Sequence, residues 1–126
     1  MKKIPDIVKY VDLQSIGEIT QNRYAGGFKI KALLTHDERF RIERTYKNFL
    51  PDDNGINRDV SLRAAGIAEL DQRIVEAPAW WTQSRNGRDL IDSQPIYDLI
   101  VAVNEKYEEW KIELNKTVES GNGNNQ

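Results

Sequence analysis

The chain contains no cysteine, one histidine and one methionine. Without cysteine there is no disulfide, no thiolate metal centre and no sulfur nucleophile, and a reducing compartment suits the chain. The one histidine, His36, falls in the first turn of a predicted helix and reads as a surface residue. It supplies neither a zinc site nor a Ser-His or Cys-His pair. Long apolar runs are also missing. The five residues Leu99 to Val103 are as long as such runs become, far short of the roughly 20 residues of a membrane span. The opening Met1-Lys2-Lys3-Ile4-Pro5-Asp6 has no apolar stretch of signal-peptide length behind it. There is no glycine-rich phosphate loop and no serine elbow. Asp52-Asp53-Asn54-Gly55 lacks the spaced ligands and terminal glutamate of a calcium loop, and Asp89 with Asp92 has no second acidic cluster to complete a site. The chain therefore reads as non-enzymatic, with no catalytic residue, cofactor or metal to assign.

What is present is a single α+β domain. The 126 residues suffice to bury one core without staples, and the domain is expected to span 1–119, with a disordered Gly/Asn-rich tail at 120–126. Charge is unevenly spread. Residues 1–50 carry ten Lys/Arg against six Asp/Glu and residues 51–126 eight against fourteen, so +4 is followed by −6. That polarity suits orientation of one copy against another, or against an oppositely charged partner. The overall charge of −2 argues against wholesale nucleic-acid binding. Arg39, Arg41, Arg44 and Lys47 with Lys29 and Lys31 would form a phosphate-binding patch only if contiguous, and a solvated helix face is the simpler reading.

The pattern predicts an N-terminal β-hairpin followed by three packed helices. Val11, Leu13 and Ile16 alternate up to a slip near Ser15-Ile16-Gly17, read as a bulge or turn. Gln21 to Gly27 reads as the hairpin connection. Phe28, Ile30, Ala32 and Leu34 then alternate with Lys29 and Lys31 as a half-buried strand. Thr35 and Glu38 have capping-box spacing for a helix to about Leu50, closed by Pro51, with Ile42, Tyr46, Phe49 and Leu50 as its stripe. A second helix is predicted over Asp59–Glu76, capped by Asp59, with Leu62, Ile67, Leu70 and Ile74 inward and a Glu69–Arg73 pair. A third starts near Ser93 or Gln94. Its residues Ile96, Ile100, Val103, Tyr107, Trp110 and Leu114 step by four and three as an intramolecular seam.

The most informative stretch is Ala77-Pro78-Ala79-Trp80-Trp81, where Pro78 stops a helix and two indoles stand together ahead of Asn86-Gly87. Adjacent side chains diverge, so one ring is expected to close the core and the other to be partly exposed. The residues expected to meet a partner are Phe28 and Ile30 on the hairpin, Arg44 on the first helix, and Trp81 with Arg85 and Arg88 beyond the second.

The order of Gly27-Phe28-Lys29-Ile30-Lys31, Leu34-Thr35, Arg44 with Lys47, Arg73-Ile74-Val75-Glu76-Ala77-Pro78-Ala79-Trp80-Trp81 and Ser84 to Asp92 resembles small morphogenesis proteins of tailed bacteriophages. The resemblance covers about residues 16–115 and is sharpest over Ala77–Asp92. It departs at Arg44-Thr45 and Leu50-Pro51, where the group has Arg-Arg and Leu-Gly, which leaves contacts of the first helix outside the comparison. The resemblance implies a non-enzymatic tail-assembly chaperone. Its partners would be the tail tube or tape-measure protein, or further copies of the chain, in the host cytoplasm. The alternative it implies is a structural virion protein of head, connector or tail.

Overall fold

The computed structural model describes residues 3–50 and 57–123, the side chains of 117–123 excepted. Strands β1 (Val8–Ile16) and β2 (Arg23–Lys31) form an antiparallel hairpin, and β3 (Ile74–Glu76) pairs antiparallel with β2, giving the order β1-β2-β3. The helices are α1 (His36–Phe49), α2 (Arg58–Arg73), the short α3 (Ala79–Gln83) and α4 (Gln94–Gly123). The α+β class and the N-terminal hairpin match the sequence pattern. Among the described residues, no helix is long and apolar enough to cross a membrane.

Strict alternation sets the sheet's two faces. Val11, Leu13 and Ser15 point to the helices from β1, and Tyr24, Phe28 and Ile30 do so from β2. The pairing Val11↔Phe28, Leu13↔Gly26, Ser15↔Tyr24 runs without a bulge. Ser15 therefore takes the inward position that hydropathy assigned to Ile16, and Ile16 is 55% exposed. The chain reverses over residues 17–22, earlier than the expected Gln21–Gly27, and Gly26 and Gly27 lie within β2. The inward Ser15 is accommodated because its hydroxyl donates to Asp98 at 2.7 Å on α4, so no polar group is left orphaned.

Below the sheet, Ile67 and Leu70 of α2, Ile96, Leu99 and Val103 of α4, and Trp81 complete one core. The predicted seam of α4 packs within the chain, with Ile96, Val103 and Trp110 buried and Ile100 at the core's margin. Helix α1 holds no buried residue and rests on α2, where Tyr46 and Ser61 share a hydroxyl–hydroxyl bond of 3.2 Å.

Several boundaries differ from the sequence pattern. Asn57, not Asp59, caps α2, its side chain accepting from the Asp59 amide at 2.7 Å. Helix α2 stops at Arg73 because Ile74 and Val75 leave the helix to extend the sheet beside β2, an arrangement that suits β-branched residues. Leu62, assigned inward, is 49% exposed, and small Gly66 instead faces Ile96. Helix α4 continues through Ser120 to Gly123, where composition placed the start of a disordered tail. Continuing an existing helix needs no new nucleus. The Asp52-Asp53-Asn54-Gly55 segment and residues 124–126 lie outside the described residues.

Candidate functional site

The connector from Ala77 to Ser93 joins the sheet to α4 and carries many specific contacts. Pro78 is the N-cap residue of α3, and the turn of about 100° between neighbours on a helix sends the two indoles in different directions. Trp81 points inward and is 1% exposed. Trp80 lies half-buried over the sheet, its indole N–H donating to the Ala25 carbonyl at 2.8 Å. Tyr24, Phe28, Trp80 and Trp81 meet edge to face or tilted, with centroids 5.2–6.0 Å apart, as aromatic quadrupoles favour.

After α3 the backbone takes three successive left-handed residues, Arg85, Asn86 and Gly87, with φ of 55°, 57° and 90°. This is the predicted Asn-Gly turn. Gly87 is required twice: its φ disfavours any side chain, and a Cβ there would lie 2.6 Å from the Trp81 ring. The Ser84 hydroxyl donates to the Trp81 carbonyl at 2.7 Å and accepts from the Gly87 amide at 2.9 Å, closing the turn.

The connector ends in a reciprocal clamp with the β1–β2 turn. Asp92 is 1% exposed. Its carboxylate accepts from the amides of Ile19 (2.8 Å) and Thr20 (2.9 Å), from the Tyr24 hydroxyl (2.6 Å) and from the Thr20 hydroxyl. Burial disfavours the charge, but these four donors outweigh it and hold the Asp92 carboxyl well below the usual range. The Tyr24 hydroxyl is raised in turn by its bond to Asp92 and by burial. Gly17 makes room for the group, since a Cβ there would stand 2.1 Å from the Asp92 carboxylate. In the other direction, Glu18 accepts from the amides of Ser93 and Gln94, each at 3.0 Å to Oε2, and so caps the start of α4.

A carboxylate with every lone-pair direction occupied, sealed between a glycine and a tyrosine, has no capacity left for a substrate proton or an ion. Its work is positional. Three isoleucines border the clamp and point to solvent: Ile16, Ile19 and Ile91, at 55%, 66% and 68% exposure. The clamp thus fixes a tip of the molecule at which large apolar side chains face water. The described concavities are open to solvent, and among the described residues no group of three His, Cys, Asp or Glu could hold a metal.

The residues singled out by sequence are not brought together. Phe28 and Ile30 are both fully buried and Trp81 nearly so, so these three support the core and offer no contact surface, a correction to the expected partner-binding set. Alternation on β2 aims Phe28 and Ile30 at the helices, and the Gly87 turn seats Trp81. Arg44 is exposed on α1. Arg85 is exposed and forms a two-pronged pair with Asp89, at 2.7 and 2.9 Å. Arg88 is half-buried, paired with Asp71 at 2.7 and 3.1 Å and lying 5.1 Å from the centre of the Phe49 ring. Acidic side chains are interleaved with the basic residues singled out by sequence, Lys29 lying beside Glu76, Lys31 beside Glu38, Arg41 beside Asp37 and Lys47 beside Glu43.

Sequence reasoning missed Glu18, Asp92 and Tyr24 as a unit. The available signal was an aspartate immediately before a helix start and a glycine-flanked glutamate in a turn, but their pairing spans more than 70 residues. No family model matches the chain, and no curated protein or solved structure is significantly similar to it.

Proposed function

We propose that this chain is a non-enzymatic binding protein, and specifically a bacteriophage tail-assembly chaperone that shields apolar segments of the tail tube or tape-measure protein before they polymerise. The observation that carries the binding reading is the clamped tip, where Ile16, Ile19 and Ile91 stay largely in water while Asp92, Glu18 and Tyr24 are spent on holding them in place. A preorganised apolar tip binds without first losing the entropy of ordering itself. The phage assignment rests on the Ala77–Asp92 resemblance.

The test is co-expression with a tail tube or tape-measure protein. The wild-type chain is expected to raise the soluble fraction of that partner. The Ile19→Asp/Ile91→Asp variant is expected to lose the effect while melting as the wild type does, because both side chains are exposed. An unchanged soluble fraction with the wild-type chain would sink the chaperone reading.

A permanent virion component is the second reading, and one observation favours it. β1 is a nine-residue edge strand. The bonds Ala32 N–H to Ile7 carbonyl and Gly17 N–H to Asn22 carbonyl fix the ladder so that Tyr10, Asp12, Gln14 and Ile16 direct their backbone groups away from β2. Such an edge is suited to receiving a neighbour's strand. Recovery of the chain from purified particles at fixed copy number selects this reading, and absence from them selects the chaperone.

A further inference from the structure

Among the exposed helix faces outside the core and the clamp, one on α1 and one on α4 are complementary. On α1, Phe40 is 64% exposed and stands on the side opposite Ile42 and Tyr46, which face α2. Arg44 and Lys47 follow it at i+4 and i+7, on the same face. On α4, Val101 and Ile112 are 56% and 54% exposed and enclose Glu105 and Glu108, with Asn104 and Glu109 beside them in one shallow surface groove. The spacing 101, 105, 108, 112 is again that of a single helix face.

We propose that the chain associates head to tail with further copies of itself, the α1 row of one copy seating on the α4 row of the next. One row reads apolar, cationic, cationic and the other apolar, acidic, acidic, apolar. The steps match: about 6 Å from Phe40 to Arg44 and about 10.5 Å to Lys47, against the same rises from Val101 to Glu105 and Glu108. Because 101, 105, 108, 112 is symmetric in its steps, the match also holds with Phe40 on Ile112. Arg44 and Glu105 have no ion-pair partner among the described residues. Lys47, Glu108 and Glu109 are engaged only in local pairs with Glu43, Lys111 and Lys106 at 3.2–3.7 Å, and exposed pairs of this kind exchange at little cost. The +4 and −6 halves of the sequence give the same polarity at longer range. Because different surfaces meet, the contact is heterologous and generates rings or filaments rather than a closed two-fold dimer. This inference does not depend on the phage reading.

Sedimentation of the full chain over a concentration series tests it. Species above monomer mass are expected, with an association constant falling about tenfold or more from low to high salt. A variant with one face disabled, Phe40→Asp/Arg44→Glu, and another with the opposite face disabled, Val101→Asp/Glu105→Lys, are each expected to be monomeric with wild-type circular dichroism. Their mixture is expected to stop at a 1:1 heterodimer, since one intact pair of faces remains. Should a disabled variant fold poorly, the single reversals Arg44→Glu and Glu105→Arg are each expected to weaken association, and the two combined in one chain to restore it. A wild-type chain that stays monomeric, a mixture without heterodimer, or a combined reversal without rescue overturns the proposal.

Discussion

Glu18 and Asp92 each cap the segment that carries the other. Glu18, in the β1–β2 turn, accepts from the Ser93 and Gln94 amides, while Asp92, one residue before Ser93, accepts from the Ile19 and Thr20 amides. Neither carboxylate meets a cation there; both are satisfied by backbone and hydroxyl donors. The turn is therefore fixed by α4, and α4 is started by the turn.

Acid should loosen this arrangement. The Asp92 carboxyl lies well below its ordinary range, and Glu38, bonded by Lys31 and by the Thr35 amide, is lowered from 4.5 to about 2. A carboxyl depressed by folding contributes stability that is complete above the unfolded value and drains away as pH falls through the folded one. Urea midpoints are thus expected to stay level down to about pH 4.5 and to fall below it. Asp92→Asn should lower the neutral midpoint and flatten the acid limb. Equal acid slopes in wild type and variant would contradict this.

The two mutual caps should also be energetically coupled. In a double-mutant cycle with Glu18→Gln and Asp92→Asn, either change alone is expected to free the turn, so the second adds less than its own separate effect. Strict additivity would show that the caps act independently.

Gly17→Ala probes the same place by volume alone. The added methyl drives against the Asp92 carboxylate, so hydrogen exchange at the Ile19 and Thr20 amides is expected to accelerate by at least tenfold, about 1.4 kcal/mol of local opening. Unchanged protection there would mean that the clamp yields without opening.

The two tryptophans should separate cleanly. Trp81→Ala removes a core indole and is expected to cost about 3–5 kcal/mol. Trp80→Phe mainly loses the bond to the Ala25 carbonyl, at about 1 kcal/mol. Chemical denaturation measures both, and similar losses would contradict the burial difference.

Arg73 is a buried guanidinium that donates to the Lys31 and Ala32 carbonyls at 2.8 and 3.0 Å and to Glu69 at 3.0 Å. Arg73→Met leaves two carbonyls and a carboxylate unpaired and is expected to cost about 3 kcal/mol. Arg85→Ala, which removes an exposed pair with Asp89, should leave the melting midpoint unchanged. A fall as large as that of Arg73→Met would give Arg85 a structural part that its exposure denies.

Local signals in the sequence were accurate where the physics is local. The Thr35–Glu38 capping box, the Glu69–Arg73 pair, the Asn86-Gly87 turn and the α4 seam all follow from neighbours within a few residues. What hydropathy misread was decided at a distance. Ser15 turns inward because Asp98 waits 83 residues away, and Ile74-Val75 becomes a strand because β2 has an open edge. Phe28, Ile30 and Trp81 read as contact residues in the sequence for a related reason, since a large apolar side chain is written alike whether it grips a partner or fills the interior.

Beyond its pairing with β2, the first strand and its approach are held by side chains of α4. Trp110 donates to the Pro5 carbonyl at 3.1 Å, Glu113 accepts from Lys9 at 3.1 Å, and Asp98 holds Ser15. A ribosome that has delivered the hairpin has yet to deliver what secures it, and two strands alone are marginal in water. Until α4 has been made, the hairpin lacks these side-chain partners. These contacts join residues about 80 to 105 positions apart, and closing loops of that length places the docking of α4 on the hairpin among the slow steps of folding.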